Sequence, residues 1–358
     1  MRAHTEGKYE MGRRFAIVIG VAAAGVMALG AQMASATFPG TEGRIAFSAF
    51  APGPTGSVSI EIYTANPNGG DVQQLTSNPN LHSQNPDWSP DGQRIAFQAG
   101  SRLGGDAPVH VDVMNADGSD VTRLTRGPGF HGYPAWSPDT ASLAIAADWG
   151  DRPALQGIWI IPASDPDGVT RQEARRVTTL PADFRGRGDV EPQFSPDGSS
   201  IVFTRFKSPR KSAIHRVGVD GTGLKRLTKW RLNASDPDWS PNGKKIAFDS
   251  GDFAGKTDGG GNNHVMRADG SKRKKLTDHR RIRKDDPRRA FKLASDPVWS
   301  PSGTRIMFTR QPRGSDISPT RLIAMKPNGS GKHVVVDFVV DASASSFYPN
   351  RVDWGTHP

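Results

Sequence analysis

The sequence predicts an all-β chain: a six-bladed β-propeller with four antiparallel strands per blade, closed by pairing of the N- and C-terminal strands. Three observations lead there. The 40 glycines and 28 prolines among 358 residues are too many for long amphipathic helices and suit short strands joined by tight turns. A Pro-x-aromatic-Ser-Pro segment followed by an apolar strand recurs five times, with its aromatic at positions 88, 136, 194, 239 and 299. Intervals of 48, 58, 45 and 60 residues fit one propeller blade per repeat with insertions. Two incomplete units, one at each end, supply what the other lacks.

Each repeat reads as four strands. The first runs through Pro86-Asp87-Trp88-Ser89, Pro134-Ala135-Trp136-Ser137, Pro192-Gln193-Phe194-Ser195, Pro237-Asp238-Trp239-Ser240 and Pro297-Val298-Trp299-Ser300. A turn built on Pro and on Asp, Asn, Ser or Gly follows, then the second strand, such as Ile95-Ala96-Phe97 or Ile246-Ala247-Phe248. The third strand alternates, as in Glu61-Ile62-Tyr63-Thr64, and ends at an Asn-Gly or Asp-Gly hairpin signal: Asn68, Asp117, Asp167, Asp220, Asp269 and Asn328 each precede Gly. The fourth ends in Leu-Thr or Val-Thr, from Leu75-Thr76 to Leu276-Thr277. Gly43-Arg44-Ile45-Ala46-Phe47 is a second strand without a first, and Tyr348 to Trp354 is a first strand without a second. Joined, they make a sixth blade and remove the open sheet edges.

Residues 1–36 read as a secretory signal peptide and 37–358 as the propeller. Arg13-Arg14 precede an apolar run from Phe15 to Ala31, and Ala34-Ser35-Ala36 offers a small-residue cleavage site. The mature chain is expected to start near Thr37, in an extracytoplasmic compartment, secreted or periplasmic, with no transmembrane span after cleavage. The alternative is an uncleaved anchor, for which the run is about the minimum length. There is no cysteine, so disulfides, thiolate metal sites and a cysteine nucleophile are excluded. The formal net charge is +10, and residues 1–36 account for only two units of it. The basic field therefore belongs to the folded part and attracts anions.

These repeats resemble the TolB-like family of WD-like β-propellers, whose mark is the Pro-x-Trp-Ser-Pro-Asp-Gly-x-x-Ile-Ala-Phe segment. The resemblance covers about Gly43 to Gly355 and concerns the propeller alone, without the α/β domain that precedes it in TolB. It implies an exported propeller that binds a protein or glycan partner.

Trp88, Trp136, Trp239, Trp299 and Trp354, with Phe194, recur once per blade and are expected to pack between sheets. The Asp of Pro-Asp-Gly is read as turn chemistry. The residues before the repeat prolines, Asn85, Tyr133, Glu191, Asp236, Asp296 and Tyr348, are expected to form a ring at one channel mouth. Such a ring suits a partner's tip, or a Ca2+ or other cation with oxygen ligands; the bland alternative is strand capping. No cofactor is evident otherwise. His82 and His131 sit in similar loop positions of adjacent blades but lack a third metal ligand.

A basic patch comprises Lys272, Arg273, Lys274, Lys275, Arg280, Arg281, Arg283, Arg288 and Arg289, and suits an anionic cell-envelope polymer. Aromatics for stacking are sparse there, which disfavours nucleic acid. The loop from Ser250 to Asn263 lacks EF-hand spacing, and no Gly-x-Ser-x-Gly elbow occurs. The function expected is a binding or scaffold propeller, monomeric, recognising a protein or cell-envelope polymer through one face and the channel mouth. The alternatives are a purely architectural repeat and a glycan lyase or hydrolase using Glu191, Asp236 and Asp296 as acid–base groups.

Overall fold

The computed structural model describes residues 39–52, 58–78, 80–101, 108–150, 156–165, 167–181, 184–208, 211–251, 261–278, 291–312, 321–337 and 352–356. The expected signal peptide lies outside them. Six sheets of four antiparallel strands form a closed six-bladed propeller. Among the described residues there is no α-helix, and a single 3-10 turn spans Trp230–Leu232.

Blade 1 is the composite one. Its inner strand, Val352–Thr356, comes from the C-terminal end and pairs with Glu42–Pro52, which pairs onward with Val58–Ala65 and Gln73–Gln74. The register sets Ile45 opposite Trp354 and Phe47 opposite Val352, so the complementary end fragments join as the sequence predicts. Blades 2 to 6 begin with the inner strands Leu81–Trp88, His131–Trp136, Gly188–Phe194, Ala234–Trp239 and Phe291–Trp299. Each inner strand touches the inner strands of both neighbouring blades, which makes them the wall of the axis.

The turn from first to second strand is fixed by one small motif. In blade 2, Gly92 N–H donates to the Ser89 carbonyl at 2.8 Å, the Ser89 hydroxyl donates to Asp91 Oδ1 at 2.6 Å, and Arg94 N–H donates back to that hydroxyl at 2.9 Å. The same Ser-to-side-chain bond recurs from Ser137 to Asp139, Ser195 to Asp197 and Ser240 to Asn242. Asp and Asn here are turn residues, because their side chains replace backbone acceptors. The closing Thr of each fourth strand works similarly. The hydroxyls of Thr76, Thr125, Thr178 and Thr228 accept the third-strand N–H of Ile62, Val111, Ile158 and Ile214, each at 2.9 Å.

Apolar side chains between neighbouring sheets form six clusters, one at each blade-to-blade interface. Trp136, for example, packs with Val111 and Leu143 across the interface of blades 2 and 3. Trp354, fully buried, packs with Met307 and Leu322 of blade 6 and closes the circle. All six repeated aromatics are at most 5% exposed, as expected of packing residues.

Candidate functional site

The inner strands of blades 2 to 6 share a local irregularity. Pairing with the second strand shifts between Gln84 and Asp87, Gly132 and Ala135, Val190 and Gln193, Ser235 and Asp238, and Ser295 and Val298. At each bulge sits the residue before the repeat proline, in left-handed backbone: Asn85 at φ 55°, Tyr133 at 53°, Glu191 at 56°, Asp236 at 49° and Asp296 at 51°. A proline cannot donate to the sheet ladder, so a bulge accommodates it. Left-handed backbone is uncommon for any residue with a Cβ and is best tolerated by Asn and Asp. Five such residues, one on each inner strand of blades 2 to 6, are a concentration of strain of the kind found at functional surfaces. The sixth expected ring position, Tyr348, lies outside the described residues.

The bulge residues do not share one environment. Tyr133, Glu191 and Asp236 come together around Arg187, which stands just before the inner strand of blade 4. Arg187 Nη2 donates to the Tyr133 hydroxyl at 2.9 Å, and its guanidinium lies 5.6 Å from the Tyr133 ring centre. Glu191 Oε2 accepts the Asp236 N–H at 3.0 Å. Burial pushes the Tyr133 phenol above its ordinary pKa; the Arg187 charge opposes this, and Glu191 and Asp236 add to it. Asn85 is tied down elsewhere: its N–H donates to the Ser48 hydroxyl at 3.1 Å and its amide donates to Gln98 Oε1 at 3.0 Å. Asp296 Oδ2 accepts from the Thr309 hydroxyl at 2.8 Å.

The axis itself holds carboxylates that sequence reasoning passed over. They occupy the position just before the repeated Trp: Asp353, Asp87 and Asp238, in blades 1, 2 and 5. Each grips the next blade. Trp88 N–H donates to Asp353 Oδ2 at 2.7 Å, Trp136 N–H to Asp87 Oδ2 at 2.7 Å, and Trp299 N–H to Asp238 Oδ2 at 2.6 Å. Burial and then repulsion from Asp87 push the Asp353 carboxyl well above the carboxylate range; Asp238 adds to this, and the N–H groups of Trp88 and Trp354 oppose it. Together with Asp236 and Asp296 these aspartates line an axial cavity of only about 20 Å3, room for roughly one water molecule. The signal was present in the sequence as an Asp directly before three of the repeated tryptophans: Pro86-Asp87-Trp88, Pro237-Asp238-Trp239 and Val352-Asp353-Trp354.

Among the described residues no group of three or more His, Asp and Glu side chains is placed to hold a metal ion. His82 Nδ1 accepts the Ile60 N–H at 3.0 Å. His131 instead packs 4.1 Å from Trp149 and 5.8 Å from His110, measured between ring centres. Of the basic patch, Lys272, Arg273, Lys274 and Lys275 are exposed at the outer hairpin of blade 5. Arg280, Arg281, Arg283, Arg288 and Arg289 lie outside the described residues, as does most of the Ser250 to Asn263 loop. No helix among the described residues is long and apolar enough to cross a membrane.

With the ring, its bulges and the repeated turns in place, a family model described as the TolB beta propeller domain matches residues 129–350. The chain belongs to the TolB β-propeller family. In fold it is similar to TolB from Acinetobacter baumannii, at TM-score 0.63 and 19% identity over 87% of this chain and 66% of that one. It is likewise similar to the putative TolB of Agrobacterium tumefaciens, at TM-score 0.59 and 19% identity over 91% and 99% of the two chains. In sequence it is 27% identical over 128 residues to the uncharacterized peptidase YuxL of Bacillus subtilis (strain 168). That stretch is 34% of this chain and 17% of YuxL, so this TolB-family propeller spans only a small part of that relative's length.

Proposed function

We propose that the chain is an exported binding propeller that recognises a protein or cell-envelope polymer at its channel mouth and the surrounding loop face. The observation that carries this reading is the Arg187–Tyr133–Glu191–Asp236 constellation. It sets an exposed guanidinium against a phenol, with two carboxylates behind, on strands held rigid by the blade interfaces. Arg and Tyr are the residues that most often anchor interfaces, and a rigid support lowers the entropy lost on binding. The narrow axial cavity supports engagement at the mouth over passage through the ring.

The test is capture from native envelope extract by the immobilised full-length protein. The parent is expected to retain a partner that the Arg187→Glu/Tyr133→Ala double variant loses, with melting temperature unchanged. Identical capture by both would contradict the assignment of the site. Turnover of an envelope glycan by the parent, lost in Glu191→Ala/Asp236→Ala/Asp296→Ala, would replace binding by catalysis.

A further inference from the structure

The blades serve as internal controls for one another at their outer hairpins. In blade 1, Arg44 opens the second strand and Asp71 follows the turn between the third and fourth. Arg44 Nη1 and Asp71 Oδ2 form an ion pair at 2.6 Å, and the same guanidinium donates to Asn66 Oδ1 at 3.1 Å. Blade 2 keeps the acid as Asp120, again in left-handed backbone: φ is 51° at Asp71 and 52° at Asp120. In blade 5 the same three positions are Lys245, Lys272 and Arg267. Lys272 keeps the left-handed backbone, at φ 53°, a conformation that suits Asp far better than Lys. Blade 5 therefore reverses the charge of the residue that in blade 1 neutralises the strand's own cation.

The consequence is a cationic cavity of about 550 Å3 between blades 5 and 6. Lys245, Arg267, Lys272 and Lys274 line it from blade 5, and Lys326 from blade 6, with Thr304 beside them and no carboxylate in the lining itself; the Thr304 hydroxyl donates outward to Glu42 Oε1 at 3.3 Å. All five cationic residues are exposed. Lys245, Lys272 and Lys326 make no ion pair among the described residues. Lys274 donates to the Asn328 carbonyl at 3.2 Å, and Arg267 lies close enough to Asp269 to help lower that carboxyl's pKa. Clustered like charges repel, and a bound anion relieves the repulsion. The lining has no aromatic side chain to stack on a sugar or a base. Four of the five cations are lysines, which act as mobile point charges and not as planar forks for a carboxylate. Such a site recognises compact, closely spaced negative groups.

We propose that this cavity binds an oligophosphate, a chain carrying at least three linked phosphate groups, free or as part of a phosphodiester polymer. It lies among the turns at the end of the blades opposite the Arg187 loop, so it stands or falls independently of the channel-mouth reading.

Calorimetry on the full-length protein tests it, with inorganic tripolyphosphate as one probe and a short glycerol-phosphate oligomer as the other. Binding of either supports the site, and their relative affinity distinguishes the free from the polymeric source. Lys272→Asp/Lys326→Glu is expected to weaken binding by about 30-fold or more, while Lys211→Glu at the opposite face changes it by less than about 2-fold. Lys272→Asp restores the residue of blade 1, so its melting temperature is expected to hold or rise, which keeps loss of binding distinct from unfolding. No binding of either probe by the parent, an unchanged affinity in the double variant, or equal affinity for citrate would overturn the proposal.

Discussion

Asp353 does two jobs with one carboxylate: it caps the Trp88 N–H of the neighbouring blade and shares the axial cavity with Asp87, Asp236, Asp238 and Asp296. Removing the acceptor leaves a buried N–H unsatisfied, which costs about 1–3 kcal/mol. Keeping the acceptor but removing the charge relieves repulsion from Asp87 and Asp238. Asp353→Ala is therefore expected to lower stability by about 2 kcal/mol in urea unfolding, and Asp353→Asn to stay close to the parent. Equal damage from both would remove the hydrogen bond from the account. At this scale the repeated Trp, Thr and Pro-Asp-Gly were legible in the sequence, because each carries its own local chemistry. The aspartates before Trp88, Trp239 and Trp354 were not singled out, since one-dimensional spacing does not show that this position reaches across to the next blade. The left-handed bulge residues were identified by position, but not by conformation: a residue before proline ordinarily reads as extended.

Between strands, the second and third strands of three blades repeat one cross-strand stack. Phe47 faces Tyr63, Phe203 faces His215 and Phe248 faces His264, at ring-centre separations of 5.8, 5.6 and 5.2 Å. Burial holds both imidazoles at about 4, below their usual 6.5, with nearby cations adding to the effect. The folded state thus resists a proton that the unfolded chain accepts. Stability from these two residues is complete above the unfolded pKa and is lost as pH falls from 6.5 toward 4. Each contributes about 3 kcal/mol of that loss by pH 4. The melting temperature is expected to fall steeply from pH 7 to 4.5, and less steeply in His215→Tyr/His264→Tyr, which copies blade 1. Matching slopes would show that other groups control acid stability. The strands that carry these stacks were visible as alternating segments, but the pairing of His with Phe depended on register, which the turn residues alone left open.

Over the whole molecule, stability is spread around a circle of six similar interfaces, and one of them joins the two ends of the chain. The blade count and the closure were legible because the incomplete end units are complementary. The channel was less so: strand order places the inner strands on the axis, but how far their side chains fill it depends on packing. The functional surface divides accordingly, with polar residues on the loop face around Arg187 and a cationic cavity among the turns of blades 5 and 6. Both depend on the ring being shut, since Trp354 and Asp353 lock blade 1 to its neighbours on either side.

Hydrogen exchange of the Val352–Thr356 amides tests closure most directly. They are expected to exchange as slowly as those of Ile45 to Phe47, with which the strand pairs, through opening of the whole propeller. Exchange at the rate of unstructured chain, with Ile45 to Phe47 still protected, would mean that the ring is open in solution.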